Sequence, residues 1–153
     1  MSNAIHLHYD VSGEDFTRAG EASGAVKKTL RRLGYNNDAI RRVAISMYEA
    51  EINMVIHAEG GYCDVDIYPD RVEILLSDHG PGIPDVEKAM QEGFSTAPDN
   101  VRTLGFGAGM GLPNIKKYTD DMRIETTIGV GTNVYLTLDA ANAAAEGLSM
   151  KAR

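Results

Sequence analysis

The order in which apolar periodicity changes along the chain constrains the fold more than any other sequence feature. Alternating apolar and polar residues predict a first strand over residues 5–11, and two stretches with helical spacing follow it directly, over 14–33 and 36–58. Ser12 offers an N-cap for the first of these helices. Two hairpins are predicted further along, pairing 62–68 with 71–77 and 122–128 with 133–138, and short helices are predicted over 85–92 and 112–119.

Two helices placed back to back, ahead of the hairpins, do not fit the β-α-β alternation of a doubly wound fold. We therefore predict an α+β domain, a two-layer α/β sandwich in which a mixed, mostly antiparallel sheet has helices on one face. The 153 residues fit one domain over 5–138, and we expect residues 139–153, which are rich in alanine, to form a loose helix or a disordered tail.

The balance of charge argues against nucleic acid as a partner. With 22 acidic and 15 basic residues the net charge is −7, whereas a nucleic-acid-binding protein carries a basic stripe. No run approaches the roughly 18 apolar residues that cross a bilayer, and no secretion signal is recognisable, so we expect a cytoplasmic protein without a membrane partner. The single cysteine, Cys63, lies in an alternating run, which favours a packing residue over a nucleophile.

The second predicted helix carries a carboxylate and a carboxamide on one face. Glu49 and Asn53 are four residues apart and are therefore neighbours on the helix surface, whereas Glu51 points elsewhere. A carboxamide oxygen is a hard ligand suited to Mg²⁺, and a carboxylate can accept the proton of an attacking hydroxyl or water. An ordinary solvated Glu–Asn pair is the alternative interpretation of this spacing.

An acidic residue and two alternating glycines end the strand predicted over 71–77. Gly80 and Gly82 permit unusual backbone dihedrals and the close approach of a ligand. A carboxylate fixed at Asp78 can accept a hydrogen bond from an exocyclic amine such as the 6-amino group of adenine. A strand-ending turn explains the same residues equally well, because Asp, Gly and Pro are the usual turn residues.

Glycines at alternate positions precede the helix predicted over 112–119. Backbone amides exposed by such a loop, with the positive end of a helix dipole behind them, are typical of a phosphate site, although flexible linkers share this composition. The run lacks the ending of a P-loop and does not follow a strand as a dinucleotide fingerprint does. Thr132 follows two glycines between the last two strands, a pattern that an ordinary hairpin turn explains as well as a hydroxyl placed beside a bound purine. The alternating glycines are Gly105, Gly107, Gly109 and Gly111.

Together these elements resemble the Bergerat-type ATP-binding fold shared by gyrase, heat-shock-90 chaperones, histidine kinases and MutL. The Glu-x-x-x-Asn pair is similar to that family's N box, and the Asp-x-Gly-x-Gly turn and the glycine run are similar to its two glycine boxes. The resemblance spans residues 5–138. Within the superfamily, three stretches are similar to the small anti-sigma-factor serine/threonine kinases and the related switch kinase of bacterial stress signalling: DHGPGIPDVEKAMQEGFST, GAGMGLPNIKK and IETTIGVGTNVYLTL.

The resemblance implies a role for each matching residue. Glu49 corresponds to the catalytic base, Asn53 to the magnesium ligand, and Asp78 and Thr132 to the adenine contacts. A lid arginine of the family has a weak counterpart in Arg102, because extra residues separate it from the last glycines. Further nucleotide contacts are implied for Gly80, Gly82, Ile83, Gly107, Gly109, Met110, Gly111 and Leu112.

The resemblance also implies an activity, namely phosphoryl transfer from ATP, with Mg²⁺, to a serine or threonine of a protein similar to the anti-sigma-factor antagonists. A sigma factor is a candidate second partner, and a homodimer is a candidate assembly. A nucleotide-gated module that binds a partner without phosphorylating it is the alternative. The ATP-binding half of a histidine kinase is disfavoured, because His6 and His8 are the histidines that precede residue 36 and both lie on a predicted strand.

Overall fold

The computed structural model describes residues 4–12, 18–57, 60–83, 85–86, 90 and 111–140 of the chain. Within these residues three helices and five strands are defined, and most of them match the elements predicted from periodicity. They are β1 (Ile5–Ser12), α1 (Glu21–Arg32), α2 (Asn37–His57), β2 (Gly60–Ile67), β3 (Arg71–Asp78), α3 (Gly111–Tyr118), β4 (Asp121–Thr127) and β5 (Gly131–Asp139).

The five strands form one sheet in the order β1-β2-β3-β5-β4, and each neighbouring pair is antiparallel. The helices supply the second layer, so the predicted two-layer α+β architecture is confirmed. β3 occupies the centre of the sheet, and β5 rather than β4 lies next to it. The end of β3 is therefore flanked by the start of β5, with Ser77 opposite Asn133.

The core lies between the sheet and the three helices. Every second residue of the central strands points into it, as the burial pattern of β3 shows. Cys63 belongs to this core with no exposed surface, and burial raises the pKa of its thiol, so the interpretation as a packing residue is confirmed. Side chains that are buried at 0–1 % exposure come from every helix and from the strands beneath: Val26, Leu30, Met47, Ile115, Val65, Val72, Leu136 and Leu138.

The start of α1 differs from the prediction. The helix begins at Glu21, after a turn at residues 19–20, and Ser12 is the last residue of β1; residues 14–17 of the predicted helix lie outside the description. Gly20 takes the N-cap position with φ 99°, and it has no side chain to cap the first turn. The backbone N–H groups of that first turn donate instead to a side chain outside α1.

The opposite face of the sheet is polar and has two exposed histidines on β1. His6 Nδ1 lies 2.7 Å from Asp66 Oδ1, and His8 Nε2 lies 3.2 Å from Asp10 Oδ1. A hydrogen bond with Asp64, followed in size by the one with Asp10, raises the pKa of His8. The register pairs His6 with Asp66 and His8 with Asp64, which accounts for these two contacts, whereas Asp10 lies two residues from His8 on the same strand.

Three predicted segments fall largely outside the described residues. In the helix predicted over 85–92, the N–H of Met90 donates to the carbonyl of Val86 at 3.0 Å, which is the spacing of a helical turn. The glycine run up to residue 110 and the tail from 141 onwards lie outside the description. β5 continues to Asp139, and the next residue, Ala140, is buried at 5 % exposure.

Candidate functional site

Helix α2 carries Glu49 and Asn53 on one half-buried face. Burial raises the pKa of Glu49, and a hydrogen bond with the side chain of Asn114 partly opposes that rise. The next residue after Asn53, Met54, reaches the sheet, since a Cβ added to Gly61 would lie 2.9 Å from Met54 Cε and 2.8 Å from the Cα of Asp78. Helix α2 thus passes over the end of β3 at which Asp78 stands.

Glu51, between these two residues, points to α1 and is buried at 2 % exposure. Its carboxylate accepts backbone N–H groups from Gly20 at 2.8 Å, Ala22 at 3.3 Å and Ser23 at 3.1 Å. A carboxylate is a suitable acceptor at this place, because the first turn of a helix has unpaired backbone donors. The expectation that Glu51 points away from Glu49 and Asn53 is confirmed, and the carboxylate replaces the cap that α1 lacks.

Asp78 is held by one of its two carboxylate oxygens. Oδ1 accepts the backbone N–H of Gly80 at 2.9 Å and that of Thr132 at 3.0 Å. Oδ2 receives no hydrogen bond from any residue within the described ranges. The carboxylate therefore has a fixed orientation, and its second oxygen has acceptor capacity that the described residues do not use.

A pair of threonine hydroxyls connects the turn after β3 with the β4–β5 hairpin. Thr126 Oγ1 accepts the N–H of Ile83 at 2.8 Å and lies 2.9 Å from the hydroxyl of Thr132, which is buried. The three predicted residues Asp78, Ile83 and Thr132 are thus joined in one network. Sequence reasoning missed Thr126, whose place follows from the pairing of residues 126 and 132 in the β4–β5 register.

Two glycines let these backbones approach closely. A Cβ on Gly131 would lie 2.0 Å from the carbonyl oxygen of Asp78, and one on Gly82 would lie 2.9 Å from that of Thr127. Gly82 also has φ 86°, in the left-handed region that side chains disfavour. The N–H of Gly129 donates to the carbonyl of Pro81 at 2.9 Å, so the turn and the hairpin are fastened to each other.

An open pocket of about 640 Å³ lies at this end of the sheet. It is lined in part by Asp78 and Thr126, which belong to the network above. Its further lining includes Ser77, Asn133 and Glu125, which the register places in one row on the polar face of the sheet. The pocket therefore opens at the end of β3 and at the β4–β5 hairpin, with Asp78 in its lining.

Some of the remaining predicted contacts lie within the described residues, and the others lie outside them. Gly111 and Leu112 begin α3, and Gly80 donates to Asp78. Gly107, Gly109, Met110 and Arg102 lie outside the described residues. Asn114 was not predicted as a site residue, and its role depends on how α3 packs on α2.

The fold and the hydrogen-bond network around Asp78 define a class of protein. It is a two-layer domain in which an aspartate of fixed orientation, at the end of the central strand, faces a helix that carries Glu and Asn. The family described as Histidine kinase-like ATPase domain matches residues 14–138. The serine/threonine-protein kinase RsbT of Bacillus subtilis (strain 168) is 30 % identical over 112 residues, which cover 71 % of this chain and 78 % of the relative. The chain belongs to the histidine kinase-like ATPase family.

Other relatives match over a greater share of the chain. The anti-sigma F factor of Priestia megaterium is 29 % identical over 154 residues, covering 95 % of this chain and 98 % of the relative. The anti-sigma F factor of Bacillus subtilis (strain 168) is 28 % identical and covers 90 % and 92 %. This chain is thus similar in length as well as in sequence to proteins that bear the anti-sigma-factor name.

Solved structures show the same fold at lower identity. The RsbU and RsbW domains of a Mycobacterium tuberculosis protein align with a TM-score of 0.62 at 17 % identity, covering 89 % of this chain and 32 % of the longer one. The mycobacterial sensor histidine kinase MprB aligns with a TM-score of 0.51 at 18 % identity, covering 90 % of this chain and 99 % of that chain.

None of the helices in the described part of the chain has the length and apolar character that a bilayer-spanning helix needs.

Proposed function

We propose that this protein is a serine/threonine protein kinase of the anti-sigma-factor type, which transfers the γ-phosphoryl group of Mg-ATP to a protein antagonist. The observation that carries the proposal is Asp78, which is fixed through Oδ1 while Oδ2 accepts no hydrogen bond from the residues that the structure describes. The ATP use of the family and the names of the relatives support the same activity.

Asp78 suits adenine because its side chain acts as a hydrogen-bond acceptor. An ionised carboxylate only accepts hydrogen bonds, and the 6-amino group of adenine is a donor. Thr132 donates its backbone N–H to that carboxylate, and its buried hydroxyl, which can donate as well as accept, lies 2.9 Å from the hydroxyl of Thr126. A guanine base presents an oxygen at the equivalent position, which a carboxylate repels.

Glu49 and Asn53 suit the reacting end of the nucleotide. Burial raises the pKa of Glu49 towards the range in which a carboxylate accepts protons effectively, and such a base contributes typically about 10²–10⁴-fold to the rate. Asn53 offers a carboxamide oxygen, and Mg²⁺ is usually held by one or two protein ligands together with substrate phosphates. When bound, Mg²⁺ neutralises charge that develops on the phosphates.

The transfer follows from these positions. The substrate hydroxyl oxygen bonds to the γ-phosphorus, the bond from that phosphorus to the β-phosphate oxygen breaks, ADP leaves, and the hydroxyl proton passes to Glu49. We assign the phosphates to the backbone amides of the glycine run that ends at Gly111, since the N-terminus of α3 follows that run directly. Catalysis of this kind is mostly positioning and electrostatics.

The partner we propose is a protein similar to the anti-sigma-factor antagonists, with a sigma factor as the second partner whose release depends on the nucleotide state. We place the reaction in the cytoplasm and treat residues 5–138 as the unit that performs it. These assignments extend from the names of the relatives, which are anti-sigma factors and a serine/threonine kinase.

The test combines calorimetry with Mg-ATP and mass measurement of an anti-sigma-factor antagonist from the same genome after incubation. Asp78→Asn should lower the affinity for Mg-ATP by roughly 10–100-fold, because a charge-assisted hydrogen bond contributes about 1.5–3 kcal/mol. Glu49→Gln should keep the affinity and lower transfer by about 10²–10⁴-fold. Glu73→Gln, the same change on the polar face of the sheet, should leave both unchanged.

Absence of heat with Mg-ATP in the wild-type protein would refute the nucleotide site. Full transfer by the Glu49→Gln variant would refute the assignment of the base. Tight Mg-ATP binding and ATP-dependent capture of the antagonist, without a gain of mass, would instead establish the alternative, a nucleotide-gated module that binds its partner without phosphorylating it.

A further inference from the structure

Thr126 contacts two segments that border Asp78. It lies near the end of β4, half-buried, and the register places it opposite Thr132 on β5. Its hydroxyl oxygen, Oγ1, accepts the backbone N–H of Ile83 at 2.8 Å and lies 2.9 Å from Thr132 Oγ1. One side chain on β4 therefore contacts both the turn that follows β3 and the start of β5.

The backbone around this hydroxyl is held by other hydrogen bonds. The N–H of Thr132 donates to Asp78 Oδ1 at 3.0 Å, and the N–H of Gly129 donates to the carbonyl of Pro81 at 2.9 Å. These bonds fasten the turn to the hairpin without the Thr126 side chain. The contribution that remains for the Thr126 hydroxyl is to orient the side chain of Thr132.

The hydrogen-bonding capacity of the two hydroxyls restricts how they can pair. A hydroxyl has one hydrogen and two lone pairs, and the N–H of Ile83 occupies one lone pair of Thr126. When Thr126 donates its hydrogen to Thr132 Oγ1, the hydrogen of Thr132 is directed to a third group. Because Thr132 is only 5 % exposed, bulk water has little access to that hydrogen, and a ligand in the site can accept it. In the opposite pairing Thr132 donates to Thr126 and presents only lone pairs to a ligand.

We propose that Thr126 is a positioning residue for recognition of the base, which turns the hydroxyl hydrogen of Thr132 towards the purine. The proposal rests on the proposed function, because Thr126 acts through the adenine contact assigned to Thr132. In adenine the ring nitrogen next to the 6-amino group is an acceptor, whereas in a 6-oxopurine that nitrogen carries a hydrogen. A donor fixed at Thr132 therefore favours adenine over a 6-oxopurine, in addition to the selection made by Asp78.

The first test measures the contact without a nucleotide, by following hydrogen exchange of the Ile83 amide with NMR. Thr126→Val keeps the branched shape and removes the acceptor, so this amide should exchange about tenfold faster, the equivalent of one neutral hydrogen bond. Thr126→Ser keeps the hydroxyl and should exchange as the wild-type protein does. Thr137→Val, the same exchange of side chains on the polar face of β5, is the matched control and should have no effect. An unchanged rate in Thr126→Val would overturn the contact and the role that depends on it.

The second test compares Mg-ATP with Mg-ITP, whose base is a 6-oxopurine, by calorimetry and by displacement of ATP. Thr126→Val should raise the Kd for Mg-ATP by about 2–10-fold, the range that one neutral hydrogen bond contributes. The Kd for Mg-ITP should stay the same or fall, because the freed Thr132 hydroxyl can also accept, so the preference for ATP decreases. Thr126→Ser and Thr137→Val should keep the wild-type preference. An equal loss for both nucleotides would indicate a general disturbance of the site and would overturn the role.

A double variant tests whether Thr126 acts through Thr132. Thr132→Val removes the hydroxyl that Thr126 orients, so adding Thr126→Val to it should cause no further loss of affinity for Mg-ATP. Losses that multiply in the double variant would contradict the proposal. Circular dichroism checks that each variant is folded, and Thr126→Ala is a smaller replacement with the same expected results.

The outcomes separate this role from the proposed function. If the wild-type protein binds no Mg-ATP, the proposed function fails and the role of Thr126 fails with it. If the wild-type protein binds Mg-ATP and the Kd is unchanged in Thr126→Val, only the role of Thr126 is refuted.

Discussion

Glu51 joins the start of α1 to the middle of α2, and its replacement by alanine tests how much this connection stabilises the fold. Of the three N–H groups that it accepts, those of Ala22 and Ser23 belong to residues that are 3 % and 5 % exposed. Water cannot readily replace the carboxylate there. Gly20 is half-buried, so its N–H is easier to hydrate.

The expected magnitude follows from those two buried donors. A buried donor left without a partner costs about 1–3 kcal/mol, and an N-cap is worth about 0.5–2 kcal/mol, while the relief of burying a charge offsets part of the loss. We expect Glu51→Ala to lower the free energy of unfolding by about 3 kcal/mol. Glu51→Gln keeps one acceptor oxygen and should cost roughly half as much.

Urea unfolding followed by circular dichroism measures this loss. With a denaturant slope of about 2 kcal/mol/M, a loss of about 3 kcal/mol lowers the midpoint by roughly 1.5 M. The matched control is Glu21→Ala, which removes an exposed carboxylate from the first turn of the same helix and should cost less than about 1 kcal/mol. A Glu51→Ala midpoint equal to that of the control would refute the reasoning.

Three further predictions concern the sheet. Gly131→Ala should lower the free energy of unfolding by about 1–3 kcal/mol and weaken Mg-ATP binding measured by calorimetry, because the added Cβ would lie 2.0 Å from the carbonyl oxygen of Asp78. The raised pKa of His8, caused first by Asp64, should give stability that is fully present below about pH 6.5 and is lost as the pH rises through the folded-state value. Cys63 should react with a thiol reagent at less than about 10⁻³ of its rate in the unfolded chain.

The first two of these predictions have control variants, and the third has an outcome that would contradict it. Gly24→Ala, where an added Cβ meets nothing within 4 Å, should stabilise α1 by about 0.5–1 kcal/mol. His8→Gln should remove the change of the urea midpoint with pH that His8 causes. If the variant shows the same change of midpoint with pH as the wild-type protein, the assignment of this effect to His8 is contradicted. Rapid labelling of Cys63 under native conditions would show that the core around it opens far more readily than its burial indicates.

Local sequence patterns predicted the elements that carry their own start and stop signals. Helix α2 was predicted well because Asn36 Oδ1 accepts the N–H of Ala39 at 2.7 Å at one end and two glycines, from Gly60, follow the other. Helix α1 was placed too early, since its first turn is capped by Glu51, 30 positions beyond Glu21 in the chain. No window of neighbouring residues contains that information.

The candidate site divides in the same way. Asp78 and Thr132 stand in motifs whose residue types suggest a ligand, so the sequence predicted them. Thr126 was recognised from the register of β4 with β5, and Asn114 from the packing of α3 on α2. Register and packing both depend on tertiary structure. Threonine and asparagine form hydrogen bonds at many surface positions, so their presence in the sequence does not by itself indicate a site.

The network around Asp78 also has a consequence for the thermodynamics of binding. Its rotamer is selected when the chain folds, because the N–H groups of Gly80 and Thr132 hold one oxygen before any ligand arrives. Immobilising a side chain at an interface otherwise costs about 0.5–1.5 kcal/mol. A ligand that bonds to the second oxygen avoids this entropic penalty, because the carboxylate is already immobilised. Its affinity therefore depends on the β3–β5 pairing that holds the carboxylate, rather than on an induced fit of that side chain.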